Sequence, residues 1–271
     1  MVRLHGPGTS SPPDFVAVGF WMPGFNKTPR AKGGGFFFRF GARGPPRPVG
    51  GGGPNSGALF PRSGAPRAVI KAGTLGILGG KVSDLAQLRQ AMEAFDALPL
   101  KRTAMSTVFA DGNPDADIMC IGEAPGQEED RQGLPFVGKS GKLLDRMLAS
   151  IGLDRGSVYI SNVVPWRPVD NRKPTADEVA VCLPFITRHI ELVDPKLLIL
   201  FGGAAASALL GRSEGINRLR GRWFDYSSPG LPRPVAVMPT FHPAYLLRTP
   251  AAKREAWRDL LAVRKRIDGH S

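Results

Sequence analysis

The residues whose chemistry stands out fall in four short clusters along the chain. Asp117 to Leu144 (DIMCIGEAPGQEEDRQGLPFVGKSGKLL) carries Glu123, then Glu128, Glu129 and Asp130, then Phe136 and Lys139. Asn162 follows a second apolar run, with Arg167, Asp170, Asn171 and Arg172 close behind it. Gly202-Gly203 follows a third run, and Thr240 to Arg248 (TFHPAYLLR) holds His242, Leu246 and Arg248. Loop carboxylates suit acid–base work or the orienting of water. An asparagine amide reads a hydrogen-bonding edge with donor and acceptor together, and an imidazole donates to developing negative charge. Each group also has a bland reading when taken singly. Phe136 reads as core, Asn162 as a turn cap, the acids as a solvated face and His242 as a surface histidine.

The elements that would position these groups are legible as an alternation. Ile118-Met119-Cys120-Ile121 is a continuous apolar run, as expected of a parallel strand buried on both faces. Strands are expected at 117–121, 158–161, 196–201 and 234–238, and helices at 138–151, 175–193, 203–210 and 251–267. Such a strand–helix alternation predicts a parallel sheet with helices on both faces. Every cluster above comes just after a strand, so all four converge on the carboxyl edge of the sheet, where open α/β folds bind ligands. Ahead of them, Ser83-Asp84 is placed to cap a helix carrying Leu85, Leu88, Met92 and Phe95 on one stripe. No P-loop and no dinucleotide fingerprint is present, and GEAPG is neither.

Charge is unevenly spread. Residues 1–80 carry ten basic residues against one acid, Asp14, so +9 of the net +13 lies there and the remainder is mildly basic. That segment is rich in Gly and Pro, with a GGG at 33–35 and a GGGG at 50–53, and is expected to be a disordered leader or a basic arm on DNA. One folded domain is expected over 81–271. Cys120 and Cys182 are far apart and in no metal-ligand spacing. No apolar run reaches the length of a membrane span, so no membrane contact is expected; a cytoplasmic location is the default expectation, and a monomer is expected.

Read jointly, GEAPG…EED…G-x-PFVG…GKLL, then YI-x-N-VV…RP…NR-x-P, then FGGAAA and PT-x-HPAYLLR-x-P…W-x-DL, resemble the family 4 uracil-DNA glycosylases over roughly residues 82–266. The resemblance implies a three-layer α/β/α sandwich on a four-stranded parallel sheet. It also implies hydrolysis of the N-glycosidic bond of deoxyuridine in single- or double-stranded DNA, with nucleoid association through that DNA. By the same resemblance, Phe136 would stack on the flipped uracil and Asn162 would read its edge. His242 would donate to uracil O2, and Gly122, Ala124 and Gly126 would contribute backbone to the pocket. Glu129 would crowd C5 against thymine, Leu246 would wedge into the duplex, and Arg248 and Lys139 would hold phosphates. Ala124 stands where a better-known branch of the superfamily has an Asp, which leaves Asn171, favoured by its motif, and Glu123 to orient water.

Two departures from the family pattern matter. The family's four cluster-binding cysteines fall here on Phe95, Leu98, Trp166 and Cys182, so neither a 4Fe–4S cluster nor any other cofactor or metal is expected. Arg131-Gln132-Gly133-Leu134 is too short for the basic insertion of the uracil-trapping relatives, so turnover is expected. The rival readings are a broader deaminated-base glycosylase and a non-catalytic module that recognises uracil or abasic sites.

Overall fold

In the computed structural model, residues 82–269 are described; the expectation of a leader over 1–80 lies outside them. The sheet has six strands in the order β1-β3-β2-β4-β6-β5. These are β1 Asp111–Gly112, β2 Ile118–Gly122, β3 Tyr159–Asn162, β4 Leu197–Phe201, β5 Phe224–Tyr226 and β6 Val235–Thr240. The four expected strands form its parallel centre, β3-β2-β4-β6. The four-stranded expectation is corrected at the margins, where β1 and β5 pair antiparallel on the two edges. Both are too short to leave a periodic signal.

Side chains of the central strands alternate between two cores. Met119, Ile121, Leu198, Leu200, Val235 and Val237 join one core, with Leu88 and Met92 of α1 (Leu85–Ala94) and Val181, Phe185 and Ile186 of α5 (Ala176–Val193). Ile118, Cys120, Ile199, Phe201 and Met238 join the other. There they meet Leu144 and Leu148 of α4 (Lys139–Ala149) and Leu260 and Val263 of α9 (Lys253–Ile267). Burial on both faces is why these strands read as unbroken apolar runs. Asp84 caps α1, accepting from Gln87 N at 2.8 Å, and Thr175 caps α5, accepting from Glu178 N at 3.2 Å.

Four further short helices went unanticipated: α2 Pro99–Thr103, α3 Gln127–Gln132, α7 Ile216–Leu219 and α8 Pro243–Arg248. Helix α6, Gly203–Leu210, lies where expected. The stretch from Gln127 to Asp130, read as an acidic loop, is instead the start of α3. Gly133 ends that helix in the left-handed region at φ 71°.

The positions aligned with cluster cysteines pack as one apolar knot. Phe95, Leu98, Trp166 and Cys182 are all buried in the same core. Phe95 stacks on Trp166 with ring centroids 5.9 Å apart, and Phe185 meets both rings edge-on at 5.3 and 6.3 Å. Trp166 Nε1 donates to Thr107 Oγ1 at 3.0 Å, so the indole is buried without an orphan donor. Burial raises the Cys182 thiol far above its ordinary value, which disfavours the thiolate a metal would need. One thiol among three apolar side chains does not fit a four-cysteine cluster. Trp166→Ala should cost about 3–5 kcal/mol of folding stability, as for other large buried aromatics; denaturant unfolding measures this, and a loss under ~1 kcal/mol would show that the knot does not hold the fold.

Candidate active site

The parallel register sets Gly122 beside Asn162 at the carboxyl ends of β2 and β3. A Cβ built on Gly122 would lie 2.4 Å from Asn162 Oδ1 and 2.5 Å from Phe136 Cζ, so only glycine lets the amide and the ring close over this strand end. Around this point opens a cleft of about 320 Å³. It is lined by Glu123, Ala124 and Gly126 after β2, Phe136, Asn162, Asn171, Lys173 and, after β6, His242, Tyr245 and Arg248. Residues from three of the four sequence clusters thus meet at one edge of the sheet, while Gly202-Gly203 does not line the cleft.

Phe136 is 4 % exposed, with Phe201 edge-on behind it at 6.1 Å and the His242 ring stacked at 5.5 Å. Its backbone is left-handed, at φ 54°, which costs a non-glycine residue about 1–2 kcal/mol. Helix α4 presses on the same peptide: a Cβ on Gly141 would lie 1.6 Å from the Phe136 carbonyl oxygen. Gly141 is therefore a site residue that the sequence marked only as part of a helix.

His242 caps α8. Its Nδ1 accepts from Ala244 N at 3.1 Å, so the proton of the neutral ring sits on Nε2. Burial, aided by the charge of Arg248, lowers its pKa to about 4, so it is neutral at neutral pH. Asn162 is 5 % exposed. Among the described residues, the Asn162 amide, the Glu123 carboxylate and His242 Nε2 have no hydrogen-bond partner. Three polar groups with no protein partner, gathered at one small cleft, are available to a ligand. Burial pushes the Glu123 carboxyl up, against the opposing pull of Lys173.

Several expected roles meet obstacles. Both Glu129 oxygens are engaged: Oε1 accepts from Val137 N and Gly138 N at 3.0 and 2.8 Å, and Oε2 from Gly126 N at 3.1 Å. Glu129 is thus a clasp between two loops, and the Gly126 amide is not free for a ligand. Asp130, likewise buried, accepts from Met105 N and Ser106 N at 2.9 and 3.0 Å. Asn171 reaches the cleft, but its Oδ1 already accepts from Arg167 Nε at 2.8 Å. Leu246 is corrected outright: it is 1 % exposed in the core, whereas Leu247 is 43 % exposed. An α8 helix through 243–248, where a loop was expected, turns Leu246 inward. Lys139 is exposed at the first turn of α4 and does not line the cleft. Among the described residues no group of three or more His, Cys, Asp or Glu is arranged for a metal.

The family model described as "Uracil DNA glycosylase superfamily" matches residues 109–261, more than half of the chain. The chain belongs to the uracil-DNA glycosylase superfamily. Its similar proteins include the type-4 uracil-DNA glycosylase of Pyrobaculum aerophilum, 36% identical over 181 residues, covering 65% of this chain and 91% of that one. The type-4 uracil-DNA glycosylase of Thermotoga maritima is 41% identical over 153 residues, 56% of this chain and 77% of the other. That of Saccharolobus solfataricus is 39% identical over 167 residues, 60% and 76% of the two chains. The superfamily match spans β1 through most of α9 and so includes every cleft residue named above.

His189 is buried too, at 2.8 Å from the Tyr159 hydroxyl, and burial lowers its pKa to about 3. For both histidines the folded pKa lies below the ordinary 6.5, so the unfolded chain takes up protons first as pH falls. Stability should therefore decline from about pH 6.5 toward 4. An NMR titration should find the His242 ring neutral down to about pH 5, with its midpoint near 4; a midpoint near 6.5 would refute the assigned environment.

Proposed function

We propose that this protein excises uracil from DNA by hydrolysing the N-glycosidic bond of a deoxyuridine turned out of the stack. The observation that carries this reading is the convergence of Phe136, Asn162 and His242 on one cleft, in a chain of this superfamily. Turning the base out costs a few kcal/mol and is cheapest in single strands or mismatches. Phe136 stacks on the uracil, a contact of about 1–3 kcal/mol by analogy with other base–aromatic stacks. The Asn162 amide donates to O4 and accepts from N3–H. Cytosine presents the opposite pattern there and would leave buried polar groups unpaired.

As the bond breaks, the sugar gains oxocarbenium character and the base leaves as an anion with charge on O2. The Nε2–H of His242 donates to that oxygen; a neutral donor held in place needs no proton transfer to stabilise it. Water adds to the sugar carbon and gives up its proton. The carboxylate of Glu123 is the best-supported acceptor, because burial makes it more basic and no protein group occupies it. Asn171, favoured by its motif, is the weaker choice, since Arg167 holds its oxygen. Glu129, fixed by its three amides, stays in the cleft wall where it crowds a C5 methyl. Arg248 and Lys173 at the cleft, with Lys139 on α4, attract phosphates.

Incubation with a uracil-containing oligonucleotide followed by alkali should give cleavage at the uracil; intact DNA at enzyme excess would sink the proposal. His242→Ala should lower the excision rate about 10²–10³-fold, the usual cost of one positioned donor, and Asn162→Ala should also lose activity heavily while Glu128→Ala changes little. Equal loss in all three would contradict the roles assigned.

The exposed Leu247 replaces Leu246 as the wedge that fills the gap in the duplex. Leu247→Ala should therefore slow excision from duplex DNA more than from single strands. Leu246→Ala should instead lower thermal stability. The reverse pattern would restore the original assignment.

A further inference from the structure

Phe136 stands in a conformation that its own residue type disfavours, and two groups of opposite charge hold the peptide there. On one side, Arg155 Nη2 donates to the Phe136 carbonyl and Nη1 to the Pro135 carbonyl at 3.2 Å. On the other, Glu129 accepts from the next two amides, Val137 N and Gly138 N, at 3.0 and 2.8 Å. Arg155 is itself aimed by two carboxylates: Nη1 donates to Asp111 Oδ2 at 2.5 Å and Nε to Asp145 Oδ1 at 2.8 Å. A guanidinium fork spans two carbonyls and two carboxylates at once; a lysine ammonium offers one charged point and cannot. Arg155 lies outside the lining of the cleft and touches neither Asn162 nor His242.

We propose that Arg155 is a positioning residue for base recognition: it locks the left-handed backbone of Phe136, and so the pitch of the ring on which the excised base stacks. The proposal rests on the uracil-excision reading. Without the fork, the Pro135 and Phe136 carbonyls lose their donors and the Phe136 peptide relaxes toward ordinary φ, carrying the ring out of the cleft. Glu129 alone does not prevent this, because it holds only the amides that follow.

A ring that meets the base but no other part of the DNA gives the test a readout that general instability does not share. Arg155→Ala and Arg155→Lys are compared with the unaltered protein in single-turnover excision, inhibition by free uracil, and binding to DNA bearing a stable abasic analogue. Thermal unfolding is followed alongside. Arg155→Ala should slow excision and weaken uracil inhibition by about tenfold or more, within the range for losing one base-stacking contact. Abasic-DNA binding should stay within about twofold, since that ligand has no base to stack. Arg155→Lys, which keeps the cation, should show the same split if the alanine variant does not fold. Parallel loss of uracil and abasic-DNA binding, or excision at the unaltered rate, overturns the proposal. Failure of the unaltered protein to excise uracil overturns the functional reading instead, so the two failures are distinguishable.

Discussion

The pairing of β2 with β3 aligns Gly122 with Asn162, and the rest of the site depends on that register. Parallel strands buried on both faces have little freedom to slip, because a shift by one residue would exchange the two cores. With the register set, the missing side chain of Gly122 leaves room for an amide from one strand and a ring from the following loop. The chemistry sits at the end of the sheet because the strands stop there while their hydrogen-bonding edges still hold the loops. Val163 N and Val164 N continue the ladder onto the carbonyls of Gly122 and Glu123, at 3.0 Å each, so the two loops leave the sheet as a pair.

Electrostatics at the cleft follow from dryness. Burial that keeps His242 neutral also raises the Glu123 carboxyl, so desolvation acts in the same sense on both groups of the cleft, favouring their neutral forms. The same dryness would penalise stray charges, and the buried acids around the cleft are accordingly tied down. Glu129 and Asp130 each collect backbone amides, trading catalytic availability for the geometry of the loops they join. Adjacent acids on one short helix therefore differ in use: Glu128 faces solvent with Arg131, while Glu129 and Asp130 are structural clasps.

Away from the cleft, Phe95, Trp166 and Phe185 pack as one aromatic knot. It joins the segment between α1 and α2, the loop after β3 and helix α5. Metal ligation constrains a few atoms strongly, whereas ring packing spreads the same constraint over a large buried area. The loop that carries Trp166 leads on to Arg167, which holds Asn171 at the cleft, so this packing reaches the edge of the site.

The amino-acid sequence determined the parallel core of this protein and the address of its site. Long apolar runs, helix caps at Asp84 and Thr175, and polar clusters after strands are local signals, and local signals are read from neighbours in the chain. It also determined the family, since several motifs in order are more specific than any one. The tertiary structure alone decided how individual side chains are used. Glu129 reads as available in the sequence, but three amides from two loops claim it in the fold. Leu246 and Leu247 are adjacent and chemically identical, and only the turn of α8 sends one into the core and the other into solvent. Arg155 carries no signal in its neighbourhood, because the groups it joins lie 10 to 44 residues away in the chain. Such assignments depend on which distant hydrogen-bonding groups are left to be satisfied once the core has packed, and that accounting exists only in the folded chain.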